Sequence, residues 1–202
     1  MRKVVYFIGS SHAKRLWRSS KRIFGNKYRL INFGIPGAKT QDIKFPEKVF
    51  EDPSITTVLQ TIGNDCFSRK YLIRTKDRVI HLKKVETIPE EKLEEIFKNL
   101  KEILRRIPGK ILFVDNPVRH LCCNLHKGAQ KNIISYQASV NRKIKNYFSD
   151  LANLVVFDHR KILSLPWKKV KNTEFYKTLL PDSVHFQEKV YDSIMQNLEK
   201  HF

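Results

Sequence analysis

Five short apolar runs rich in Val, Ile and Phe punctuate the chain, at residues 3–8, 29–33, 56–62, 110–115 and 154–158. Each is too short for a helix and leads into Gly, Asn, Asp or Pro, the pattern of buried strands that feed loops. Between them apolar residues recur at helical spacing, over 12–24, 43–50, 89–107, 129–148 and 186–198. The clearest helix begins at Pro89. Glu90, Glu91, Glu94 and Glu95 come early, Arg105 and Arg106 come late, and Leu93, Ile96, Phe97, Leu100, Ile103 and Leu104 share one stripe. That order of charges complements the helix dipole at both ends. Strands alternating with helices predict right-handed crossovers, hence an α/β fold: a three-layer α/β/α sandwich around a five-stranded parallel sheet. The pattern reads as a single domain over residues 1–202. Residues 69–85 fit it least and predict an inserted hairpin, with Thr75-Lys76-Asp77 between two short strands. Residues 161–181 read as irregular. Ligands of such sheets sit beyond the carboxyl ends of the strands. The loops at 9–11, 34–40 and 63–67, and the stretch before Phe186, are therefore where chemistry is expected.

Composition sharpens this in two ways. The chain has 202 residues, 41% of them hydrophobic, enough for a core of its own. Its 39 Lys and Arg against 20 Asp and Glu give a net charge of +19, so a polyanion (nucleic acid or an anionic membrane surface) is an expected partner. No acidic residue precedes Asp42, and Lys14, Arg15, Arg18 and Arg22 fall on one face of the first helix as the candidate polyanion-binding surface. Arg142, Lys143 and Lys145, then Lys168, Lys169 and Lys171, form further basic groups. Binding by such surfaces is salt-dependent and largely blind to sequence, and no aromatic-interleaved RNA-recognition motif is present. No apolar run is long enough for a transmembrane segment. The start, Met1-Arg2-Lys3 before a short apolar run, is not followed by a signal-peptide cleavage site, so it reads as a strand without a signal peptide. Cys66, Cys122 and Cys123 are odd in number with two adjacent, a poor disulfide framework that fits an intracellular, reducing compartment, cytoplasmic or nuclear.

The predicted loops carry a matched set of residues. The first strand ends in Gly9-Ser10-Ser11-His12, the second in Asn32-Phe33-Gly34-Ile35-Pro36-Gly37, and the third in Gly63-Asn64-Asp65. Pro181-Asp182-Ser183-Val184-His185 comes immediately before the last helix. In this order and at these positions the sequence resembles the SGNH, or GDSL-like, serine hydrolases, over nearly the whole chain. The resemblance implies a serine esterase or deacetylase acting on a small acyl ester such as a lipid or an acetylated sugar. In it Ser11 is the nucleophile, His185 the base that accepts its proton, and Asp182 the group that orients the imidazole. It assigns the oxyanion donors to the Ser11 and Gly37 amides and the Asn64 side chain. No cofactor is implied and no metal.

Ser10 is the departure, because the family usually has Asp before the nucleophile. The negative charge is lost, although a serine hydroxyl can still accept hydrogen bonds from backbone amides. His12 reads as a structural or rim residue. The cluster of His120, Cys122, Cys123 and His126 lacks paired zinc-ligand spacing, and Asp65 and Asp115 are ordinary strand-end carboxylates. A weaker similarity, resting on the basic charge and on residues 9–16, is to the esterase domains of open reading frame 1 proteins of non-LTR retrotransposons. A reading from another class is an SGNH-like binding module of little turnover whose basic surface grips nucleic acid or anionic lipid.

Overall fold

The first apolar run forms β1 (Val4–Gly9), and α1 (Ser11–Phe24) starts after a single intervening residue. β2 (Arg29–Gly34), α2 (Lys48–Glu51) and β3 (Thr56–Gln60) follow. After β4 (Leu72–Arg74) and β5 (Ile80–Leu82) come α3 (Glu90–Arg105), β6 (Ile111–Val114) and α4 (Lys127–Tyr147). β7 (Leu154–Phe157), α5 (His159–Ile162) and α6 (Glu188–Leu198) complete the order. This is a computed structural model. It describes residues 2–66, 72–74, 80–82, 87–119, 127–166, 175, 178–181 and 184–202, excepting the side chains of 72–74, 80–82 and 127–131.

Five strands form one sheet in the order β2-β1-β3-β6-β7, every pair parallel. This is the expected α/β/α arrangement. Alternation along β1 explains its two faces. Tyr6 and Ile8 point into a core shared with Leu93, Phe97 and Leu100 of α3, Val140 and Ile144 of α4, and Phe148 just beyond its end. Val5 and Phe7 point the other way, into a core with Leu16 of α1 and Val190, Ile194 and Met195 of α6. Phe113 of β6 stacks on Phe148 with ring centroids 5.8 Å apart. Each fully buried side chain of this size contributes about 1.5–3 kcal/mol of transfer free energy.

Small residues let α1 lie close to its neighbours. Ala13, Ser19 and Ser20 are buried, and the Ser19 hydroxyl donates to Asp192 of α6 at 2.5 Å. The predicted helix over 43–50 is only one turn of α-helix, α2, preceded by a 3-10 turn at Thr40–Asp42. Pro46 is the reason: its ring disfavours helical backbone at Phe45, so a helix cannot run through that point. β4 and β5 pair antiparallel as a separate two-stranded sheet. Among the described residues no helix is long and apolar enough to cross a membrane.

The connection from β1 goes to β2 on one side, and the chain then crosses to β3 on the other. That reversal opens a crevice at the carboxyl ends of β1 and β3, where such sheets bind ligands. Gly9 and Gln60, the last residues of those two strands, are direct partners across it.

Candidate active site

At the end of β1 the backbone must turn against β3, and only glycine permits it. Gly9 has φ +138°, and a Cβ there would lie 1.9 Å from the Gln60 carbonyl oxygen. Ser10 follows in extended conformation and is buried. Its amide donates to the Gln60 carbonyl at 3.0 Å and its hydroxyl to Gln60 Oε1 at 2.6 Å. This corrects the expectation that the Ser10 side chain accepts from backbone amides, because it makes no cap to α1. The Gln60 side chain is engaged on both sides, its Nε2 donating to Asn116 Oδ1 at 2.5 Å. The residue before Ser11 is thus a neutral hydroxyl bonded to a neutral amide, where the family usually has a carboxylate.

Ser11 opens α1. Its Oγ lies 2.8 Å from His185 Nε2, so residues 174 positions apart meet. His185 is buried, with its ring 5.0 Å from that of His12. Asp182 lies outside the described residues. His12 is buried, and its Nδ1 sits 2.7 Å from the Tyr191 hydroxyl of α6. Burial holds the His12 pKa well below its ordinary value, and the nearby positive charge of Arg119 pushes the same way. His12 is therefore neutral at physiological pH.

The other two loops are tied to this point. The Ile35 amide donates to the Gly9 carbonyl at 2.9 Å, and Gly37 has φ +74° at the tip of the loop. Asn64 Nδ2 donates to the Ala38 carbonyl at 2.8 Å. Asp65 accepts from the Thr40 amide at 3.1 Å and from its hydroxyl at 2.7 Å, bolting the 63–65 turn to the loop that carries Gly37. Burial raises the Asp65 pKa despite these bonds.

Arg119 was not singled out from the sequence. Its side chain is buried, and its guanidinium donates to Asn64 Oδ1 at 2.6 Å. With Oδ1 and Nδ2 of Asn64 both engaged, the amide has one orientation and one N–H left over. Gln137 and Asn141 of α4 hold the loop that delivers Arg119, through bonds to the Arg119 amide and to the backbone of Asn116. The available signal was an arginine within the otherwise apolar Pro117-Val118-Arg119 stretch, just beyond a strand end.

Other candidates resolve differently. Cys66 is buried and its thiol is pushed up to about 12 by burial, which removes it as a nucleophile. Asp115, Asp158 and His159 each offer a ligand atom within 4.8 Å of one another, the one possible metal-holding group among the described residues. His120, Cys122, Cys123 and His126 lie outside them. On α1 the basic face is partly neutralised: Arg22 pairs with Asp192 at 2.5 Å and Glu188 at 3.2 Å. Arg15 and Arg18 line a shallow cleft beside that pair, and Lys14 is half-buried.

A parallel α/β/α sheet with a Ser–His contact over the carboxyl ends of its strands defines a class, the hydrolases of the SGNH fold. The sequence pattern of the GDSL-like lipase/acylhydrolase family matches residues 8–198, so the chain belongs to that family and is a hydrolytic enzyme of the esterase/acylhydrolase kind. No curated protein matches it by sequence. Several solved structures share the fold. A protein of Streptococcus pneumonia, described provisionally as a platelet activating factor, has TM-score 0.63 and 16% identity, covering 99% of this chain and 83% of its own. An acetyl xylan esterase from Geobacillus stearothermophilus has TM-score 0.61 and 14% identity, covering 98% and 94%. A carbohydrate acetylesterase from Sinorhizobium meliloti has TM-score 0.58 and 12% identity, covering 100% of both chains.

Proposed function

We propose that the protein is a serine esterase or deacetylase for small acyl esters, with Ser11 as nucleophile and His185 as base. The observation that carries this is the 2.8 Å contact between Ser11 Oγ and His185 Nε2. A serine hydroxyl at ordinary pH attacks a carbonyl only if a base takes its proton, and this distance is right for that transfer. Ser11 Oγ adds to the ester carbonyl as its proton passes to Nε2. The tetrahedral intermediate then expels the alcohol, which takes the proton back from His185. Water repeats the sequence on the acyl-enzyme and releases the acid. Asp182, three residues before the base, orients the imidazole in this reading.

The oxyanion is held by the Ser11 and Gly37 amides and by the remaining N–H of Asn64. Arg119 contributes twice, fixing the Asn64 amide and adding a buried positive charge behind it. Neutral His12 matters because the intermediate places a positive charge on His185. A second cation with its ring 5.0 Å away would oppose that charge. Two of the fold neighbours are described as acetyl esterases of carbohydrates, which favours acetyl esters as the first class to test.

Hydrolysis of p-nitrophenyl acetate by wild type, Ser11→Ala and His185→Ala tests this reading. The expected result is a loss of at least about a thousandfold in kcat for either variant. An unchanged rate in Ser11→Ala would overturn it. A second reading, that the basic exterior also binds nucleic acid or an anionic membrane surface inside the cell, is favoured by the net charge of +19. Such binding would weaken steeply with added salt.

A further inference from the structure

Beyond the carboxyl ends of β6 and β7, between α4 and the edge of the sheet, lies a cavity of about 470 Å³. That size suits a small organic ligand, and none of Ser11, Gly37, Asn64 or His185 lines it. Its apolar surface comes from Val118, Ala138 and Val156, and beside Asn141 the described lining carries four cations and two carboxylates, a net charge of +2 among the described residues.

Those charges are not equivalent. Arg160 is committed, its guanidinium pairing with Asp158 at 2.8 Å. Arg142, Lys145 and Lys161 pair with no carboxylate among the described residues, and all three are exposed at the rim. At the inner end Asp115 is 4% exposed. Its Oδ1 accepts from the His159 amide at 2.9 Å and faces His159 Nδ1 at 2.5 Å, while no described residue donates to its Oδ2. Asp115 lines the cavity, so an acceptor oxygen stands at its inner end, able to take a hydrogen bond from the hydroxyl of a bound group. A metal cation is the poorer occupant, because the cations of the described wall outnumber its carboxylates and Nδ1 of His159 is already engaged by Asp115, whereas each carboxylate oxygen keeps a second acceptor site for a hydroxyl.

We propose that this cavity binds a small phosphate monoester with free hydroxyls, of the sugar-phosphate or nucleotide kind. Arg142, Lys145 and Lys161 hold the phosphate, and Asp115 and Asp158 accept from the hydroxyls. A phosphate monoester near pH 7 carries a charge of about −1.5 to −2, which matches the excess of the wall. Because the site is built from residues outside the Ser11 machinery, it stands whether or not the esterase reading does.

Calorimetric titration of the full chain with ribose 5-phosphate, inorganic phosphate and ribose tests it, each without added metal. The expected result is saturable binding of ribose 5-phosphate, about tenfold tighter than either fragment. It is retained in Ser11→Ala and weakened about tenfold or more in Arg142→Ser/Lys145→Ser, whose sites are exposed and whose fold circular dichroism verifies. Asp158→Asn should reduce the preference for ribose 5-phosphate over inorganic phosphate without weakening inorganic phosphate itself. No saturable binding, equal affinity for the sugar phosphate and inorganic phosphate, or affinity unchanged in the double variant would each overturn the proposal. So would binding that appears only with added magnesium, since the carboxylates would then be metal ligands.

Discussion

His12 shows how burial can keep a histidine beside the proposed nucleophile uncharged. Its ring is buried against Tyr191, and burial lowers its pKa well below 6.5. The unfolded chain takes up that proton more readily than the folded one below about pH 6.5. Stability from this residue is therefore present above that pH and falls as the pH drops. Wild type should lose melting temperature between pH 7 and 5, and His12→Gln should lose less across the same interval. Parallel melting curves would contradict the assignment. Arg119 makes a complementary case, since a buried guanidinium fixes Asn64 from behind. Arg119→Met should lower kcat for a p-nitrophenyl ester by up to about a hundredfold with little change in KM, below the full loss of an oxyanion donor. Arg119→Lys, which can still donate to Asn64 Oδ1, should recover part of it. Ser11 and His185 were legible because their blocks sit where a parallel sheet exposes its strand ends. Arg119 and Tyr191 were not, because neither belongs to a recognisable block and only folding brings their partners, 55 and 179 positions away, beside them.

Loops between elements set the site as firmly as the side chains do. The 35–40 and 63–65 turns have no regular pairing of their own, so their mutual position rests on Asn64 with Ala38 and Asp65 with Thr40. Asp65→Ala removes the acceptor of Thr40. It should cost about 1–3 kcal/mol of unfolding free energy, read by urea denaturation, together with a fall in kcat. Intact stability with intact activity would show that the two turns are held by something else. The strands and long helices followed from periodicity alone. The segment at 43–50 did not, because its apolar spacing suggests a helix that Pro46 forbids.

At the scale of the whole molecule, alternation of strand and helix specified the parallel sheet, and the strand order placed the crevice at β1 and β3. What alternation could not specify was how charge is distributed over the finished surface. The first helix reads as a free basic stripe, yet Arg22 is turned to α6 and paired with Asp192 and Glu188. Sequence spacing locates cations on a helix but not the acidic residues that the last helix brings beside them. The same folding step brings His185 to Ser11, and the catalytic account depends on that meeting. Labelling the intact protein with a fluorophosphonate, then mapping the modified peptide by mass spectrometry, tests it most directly. Ser11 should carry the adduct in wild type, and neither Ser11→Ala nor His185→Ala should label at a comparable rate. Modification of a different serine, or Ser11 labelling that persists undiminished without His185, would contradict it.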